Sequence, residues 1–172
     1  NGYWYGGGGY WNLNYNQEFF NTNISVNKTI KNDNMACRLI KSSLERAVAK
    51  RVKNTDRPIA CLLSGGLDSS LITALVRKHF GMNELHTWSI GLKGSDDLKH
   101  ARIVAAHLKT IHHEICLTEQ QLLDAIETVI FDIESYDTTT VRASVPNWLI
   151  CKYIKEQTES KVIFNGDGSD EL

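Results

Sequence analysis

Apolar residues in this chain alternate between two spacings. From Met35 onward Leu39, Ile40, Ala47, Val48 and Val52 recur at helical intervals, and Asn32 to Asn34 can cap the start, which predicts a helix to about Lys53. The unbroken run Ile59-Ala60-Cys61-Leu62-Leu63 reads as a buried strand, and Ser70 to Val76 returns to the helical period. Leu85 to Leu92 reads as a second strand, about Leu98 to Leu108 as a helix, and His112 to Leu117 as a third strand. Thr118 and Gln121 are spaced as a capping box for a helix reaching about Ser135. Pro146 fits the first turn of another helix, to about Thr158, and Lys161-Val162-Ile163-Phe164 is a fourth strand. Strands and helices joined by short connections predict an α/β domain, a mostly parallel sheet with helices on both faces, whose ligands lie beyond the carboxyl ends of the strands.

Residues 1–32 stand outside this rhythm. They are rich in Gly, Asn and aromatics, with Gly6 to Gly9 consecutive and no apolar period, so they read as a linker or irregular segment before a domain over 33–172. Base stacking by those aromatics is disfavoured, because Lys28 is the only basic residue of the first thirty. The whole chain, 172 residues with 42% hydrophobic and 23% charged content, is long enough for one core. A net charge of −1 provides no basic field for a nucleic-acid partner.

Cys37, Cys61, Cys116 and Cys151 form no C-x-x-C pair and sit in apolar or helical contexts, the pattern of buried thiols in a reducing compartment. No run approaches the ~20 apolar residues of a membrane span. No charged segment followed by an apolar one opens the chain, so a cytoplasmic location is expected. The sequons at Asn23 and Asn27 and the terminal Ser-Asp-Glu-Leu are then chance matches.

Ser64-Gly65-Gly66-Leu67-Asp68-Ser69 joins the first strand to its helix. Such a turn gathers backbone N–H groups and the positive end of a helix at one point, which favours a polyanion. Its glycines permit close approach, Ser64, Ser69 and Ser70 add hydroxyls, and Asp68 is a hard oxygen ligand suited to Mg²⁺. The lysine of a Walker A loop is absent and the dinucleotide G-x-G-x-x-G is not matched. An ordinary strand-to-helix turn with a serine cap would use the same residues.

A second glycine turn, Asn165-Gly166-Asp167-Gly168-Ser169-Asp170-Glu171, crowds three carboxylates together, which is costly unless a cation or a proton-transfer role compensates. If it meets the first turn, Asp68 and Asp170 can grip one Mg²⁺; a solvated acidic turn is the other reading. Between them Ser135 to Ser144 is hydroxyl-rich around Arg142, suited to a bidentate grip on a carboxylate, or else a capped loop with a surface arginine. His112 and His113 are strand neighbours on opposite faces, so they read as polar strand residues and not as a metal pair.

The first turn resembles the PP-loop of ATP pyrophosphatases. Together, Leu62 to Ser70, Tyr136 to Ser144 and Asn165 to Glu171 resemble, in order, the L-L-S-G-G-L-D-S-S, Y-D-x-T-T-x-R-A-S and S-G-E-G-S-D-E patterns of the synthetase domain of glutamine-dependent asparagine synthetases, a likeness covering about residues 33 to 172. The resemblance implies that Ser64, Gly65, Gly66, Asp68, Ser69 and Ser70 hold the pyrophosphate of ATP. Leu62, Ile90, Asn165 and Gly166 would line the nucleotide pocket, and Asp68 and Asp170 would bind Mg²⁺. Thr139, Thr140 and Arg142 would meet the aspartate substrate, and Asp167 would accept a proton. Asn165 and Asp167 stand where the family has Ser and Glu, so the carboxylate is one methylene shorter; a base misplaced by about 1 Å can cost on the order of 10²-fold in rate.

The implied reaction is attack of the aspartate side-chain carboxylate on the α-phosphate, giving β-aspartyl-AMP and pyrophosphate, then amide formation with glutamine-derived ammonia. No segment here resembles the family's glutaminase domain, so the chain reads as a fragment or part of a split protein, and a homodimer is also compatible with the resemblance. Another PP-loop ligase, such as a β-lactam synthetase, or a non-catalytic nucleotide-binding module would keep the same turns.

Overall fold

The computed structural model describes residues 33–81 and 84–167. The chain divides into two compact units, residues 1–45 and 46–172, and all the strands belong to the second. Helix α1 spans Asp33–Lys53. Then follow β1 (Ile59–Leu62), α2 (Leu67–Phe80), β2 (His86–Leu92), α3 (Asp96–Leu108), β3 (Ile111–Leu117), α4 (Glu119–Ile133), α5 (Thr138–Gln157) and β4 (Val162–Phe164). Residues 1–32, the expected linker, lie outside the described residues.

The four strands form one sheet in the order β3-β2-β1-β4, and every pairing is parallel. The chain steps outward from β1 to β2 and β3 and then returns to the other side of β1, which makes the gap between the ends of β1 and β4 the topological switch point where open α/β sheets bind ligands. Helices α2 and α3 pack together on one face, and α4 and α5 pack together on the other. That is the expected mostly parallel sheet with helices on both faces.

The main core lies under α4 and α5, where Ala60, Trp88, Ile115 and Leu117 of the sheet meet Ala125, Val129, Val145 and Ile150. Strand alternation sends the histidines to opposite faces. His113 stacks on Trp88 with centroids 4.1 Å apart, and its Nε2 lies 2.8 Å from His86 Nδ1. His112 instead bonds Thr87 Oγ1 at 3.0 Å and Ser89 Oγ at 3.2 Å. Glu114, on the His112 face, takes a two-pronged bond from Arg102, one prong measuring 2.6 Å, and so ties α3 to β3.

Two expectations need correction. The helix expected to start at Pro146 starts at Thr138, because Asp137 caps it: the carboxylate Oδ2 accepts from the Thr140 N–H at 2.9 Å and from its hydroxyl at 2.8 Å. Pro146 lies inside α5, where it cannot donate to the carbonyl one turn back, and next to it Asn147 Nδ2 donates to the Ala143 carbonyl at 3.3 Å. The cysteines are free, but only Cys61 is buried, while Cys37, Cys116 and Cys151 are exposed. Burial pushes the Cys61 thiol up to about 12, against a smaller opposing effect of its bond with Thr73.

Candidate active site

The turn after β1 folds on its own hydroxyls. The Ser64 N–H donates to Ser69 Oγ at 3.3 Å, the two serine hydroxyls lie 2.9 Å apart, and the Gly66 N–H donates to Ser64 Oγ at 3.3 Å. Ser69 Oγ also reaches the Gly66 carbonyl at 3.3 Å, drawing the turn onto the start of α2. Gly66 is the N-cap residue and its cap makes no side-chain bond, so the N-terminal amides of α2 keep their capacity for an anion.

Gly65 has φ +85°, and a Cβ there would meet the Ala101 nitrogen and His100 Cβ, each at 2.5 Å. It therefore faces α3 and lets the turn seat against that helix. Gly166, after β4, comes equally close to the other side: a Cβ would meet the Ser69 nitrogen at 2.6 Å and the Asp68 carbonyl carbon at 2.7 Å. The two turns are thus packed backbone against backbone at the switch point.

Beside this contact is a cavity of about 290 Å³. Its lining includes Ser64, Gly66, Asp68, Ser69, Asn165 and Asp167 together with the apolar Leu62, Trp88, Ile90 and Ile150. Asn165 Nδ2 donates to Asp167 Oδ2 at 3.0 Å, so the two residues that depart from the expected Ser and Glu hold one another. Ser70 is one position deeper in α2; its hydroxyl is buried without a partner among the described residues. Asp170 lies outside the described residues.

Ile90 also borders a second, larger pocket of about 590 Å³, to which Thr138, Val141 and Arg142 of α5 contribute. Arg142 is exposed and makes no ion pair among the described residues. Thr139 and Thr140 are exposed on the first turn of α5, and the Thr140 hydroxyl is spent on the cap. The cap bonds, first from the Thr140 backbone and then from its hydroxyl, hold the Asp137 carboxyl below its ordinary range. The rest of the larger pocket is apolar, with Leu92, Leu117, Leu122 and Tyr136 in its walls.

Most of the expected residues therefore converge on two adjoining pockets, while Gly65, Ser70, Thr139 and Thr140 border neither. Sequence reasoning missed Trp88, Asn147 and Ile150, which border the smaller cavity. Trp88 and Ile150 look like any core residue; Asn147, polar and within a helix, carried the one available signal.

The sequence model of the asparagine synthase family matches residues 39–172. The chain belongs to the asparagine synthase family. Among its relatives, asparagine synthetase (glutamine-hydrolyzing) 2 of Oryza sativa subsp. japonica is 46% identical over 142 residues, which cover 78% of this chain and 24% of the relative. Asparagine synthetase (glutamine-hydrolyzing) of Gallus gallus is 50% identical over 137 residues, covering 77% and 24%. The chain thus spans about a quarter of the length of these curated relatives. The fold is similar to that of a glutamine-dependent NAD+ synthetase from Acinetobacter baumannii, solved in complex with ADP, which superposes with a TM-score of 0.56 at 18% identity, covering 75% of this chain and 25% of that one. Among the described residues no helix is long and apolar enough to cross a membrane, and no cluster of metal-ligating side chains occurs.

Proposed function

We propose that this chain carries the ATP site of a ligase that converts aspartate to asparagine through β-aspartyl-AMP, with ammonia derived from glutamine and in the cytoplasm. The observation that carries the reading is the packing of Gly166 against Asp68 and Ser69, which joins two glycine turns at the switch point of a parallel sheet. Membership of the asparagine synthase family supports it further. The lining of the cavity supplies both kinds of contact a nucleotide uses, apolar side chains for a base and hydroxyls, helix-start amides and carboxylates for phosphates.

In this reading Asp68 and Asp170 would hold Mg²⁺, which shields the charge of the departing pyrophosphate. The aspartate side-chain oxygen attacks the α-phosphorus, and the bond to the β-phosphate bridging oxygen breaks. The amides after Ser64 and the hydroxyls of Ser64 and Ser69 stabilise the charge that develops on the leaving pyrophosphate. Ammonia then attacks the acyl carbon, AMP leaves, and Asp167, held by Asn165, takes the proton from nitrogen. Arg142 would bind the carboxylate of the acid from the adjoining pocket.

The test is pyrophosphate release from Mg-ATP by the protein at the full length of its relatives, with aspartate and ammonia supplied. Asparagine should form, Asp68→Ala should abolish release, and Arg142→Ala should raise the aspartate requirement far more than the ATP requirement. Release that survives Asp68→Ala removes the metal assignment, and equal rises in both requirements remove the clamp. A sister ligase with a different acid is the second reading, favoured by the apolar wall of Leu92, Leu117, Leu122 and Tyr136 around Arg142. It wins if a longer or more apolar acid, and not aspartate, drives release.

A further inference from the structure

The two glycine turns supply the smaller cavity with hydroxyls, amides and carboxylates, groups suited to the phosphates of a nucleotide. From outside the turns the lining is apolar except at Trp88, Ser89 and Asn147. Trp88 is 1% and Ser89 3% exposed, and the Ser89 hydroxyl already pairs with His112 Nε2 at 3.2 Å. Asn147, by contrast, is exposed. It lies three residues before Ile150 on α5, so the two share a side of that helix, and both line the cavity. Asn147 is therefore the one accessible polar side chain that the lining takes from outside the turns.

Its amide has a fixed sense. Nδ2 donates to the Ala143 carbonyl at 3.3 Å, and a carbonyl only accepts, so it is the nitrogen that faces back along α5. Oδ1 carries no bond among the described residues. Turning the amide over would set Oδ1 against the Ala143 carbonyl, acceptor against acceptor, and would break the bond. An amide so held keeps for a ligand its Oδ1 and the second hydrogen of Nδ2, the pair that matches the amino group and adjacent ring nitrogen of adenine. Guanine carries a carbonyl where adenine carries that amino group, and the carbonyl would meet Oδ1 as a second acceptor.

We propose that Asn147 Oδ1 accepts a hydrogen bond from the exocyclic amino group of the adenine base, so that Asn147 selects ATP over GTP. The proposal rests on reading the cavity as an ATP site. The base covers Asn147 on binding, so a nucleotide without the amino group leaves Oδ1 unpaired and out of water, which turns one hydrogen bond into discrimination.

The experiment uses the full-length protein, wild type and Asn147→Leu, titrated by calorimetry with five magnesium nucleotides. These are ATP, GTP, 2′-deoxy-ATP, 3′-deoxy-ATP and purine riboside triphosphate, in which hydrogen replaces the amino group. Leucine keeps the size and the helix and removes the amide. Asn147→Leu should weaken ATP binding about tenfold, one net hydrogen bond, and leave purine riboside triphosphate binding unchanged. The preference for ATP over GTP should fall by at least the same factor. Unaltered ATP binding in the variant, or an equal loss for ATP and purine riboside triphosphate, overturns the proposal. A loss that vanishes only with one of the deoxy analogues also overturns it, because Asn147 then serves a ribose hydroxyl. If neither protein binds ATP although both show native circular dichroism, the ATP reading falls and this one with it.

Discussion

Gly65 and Gly166 stand in similar motifs, yet their surroundings give them different duties. At Gly65 both a left-handed backbone and the α3 backbone, which a Cβ would meet at 2.5 Å, forbid a side chain. Gly65→Ala should cost about 2–4 kcal/mol, from backbone strain together with overpacking against atoms that cannot yield. Gly166 needs no unusual φ, and what a Cβ would strike is the start of α2 in the other turn. Gly166→Ala should therefore lower the urea midpoint less than Gly65→Ala does, through overpacking alone, and weaken ATP binding at least tenfold by parting the two turns; unaltered ATP affinity would show that their contact is not what makes the site. The sequence marks both glycines as turn residues, but what each touches comes from elements far along the chain. For the same reason Ser70, legible as a phosphate ligand, lies off the cavity border, while Trp88 and Asn147 lie on it.

Elements were legible where a local signal had no rival. The Thr118–Gln121 box closes in both directions, the Gln121 N–H donating to Thr118 Oγ1 at 3.2 Å and the Thr118 N–H to Gln121 Oε1 at 2.8 Å. The strands lie within a residue or so of their expected limits, since each is a short run between helix-ending and turn residues. At α5 Pro146 is legible as a first-turn residue, but a proline tolerated inside a helix cannot be told from one that begins it without knowing what α5 packs against, and the Asp137 cap that sets the start emerges only in the structure. The consequence is functional, because the first turns of α5 carry Thr138 and Arg142 to the larger pocket. Asp137→Ala should lower Tm by a few degrees and, in the full-length enzyme, raise the requirement for the acid substrate, while Asp137→Asn, an equally good cap, should do neither. If Asp137→Ala frays the helix by circular dichroism and the acid requirement stays put, the first turn of α5 does not present the substrate clamp.

At the scale of the whole molecule, alternating strands and helices already implied a parallel sheet and a site at its carboxyl edge. The strand order was not implied, because whether β4 returns beside β1 or continues beyond β3 depends on which exposed edge offers better burial to a segment of three residues. That return closes the site at one edge, and the other edge governs the response to acid. Burial holds both His112 and His113 below 6.5; for His113 the neighbouring His86 adds to the effect, whereas for His112 the Glu114 carboxylate opposes it and His113 and Arg102 reinforce it. Folding thus favours the neutral rings, and the stabilisation is complete above the unfolded value of 6.5 and lost as pH falls below it toward the folded values. Glu114, held below 4.5 chiefly by its bond from Arg102, contributes stability that persists to lower pH and fails only as that carboxylate protonates. Tm should therefore be flat from neutrality up to the range near 9 where the thiol of Cys61 ionises in the unfolded chain but not in the folded one, fall as pH drops below about 6.5 and the β3 histidines charge, and fall again below about pH 4.5. His113→Gln should remove part of the first fall and leave the second, and a profile unchanged in this variant would place the acid sensitivity elsewhere than in the histidine stack on Trp88.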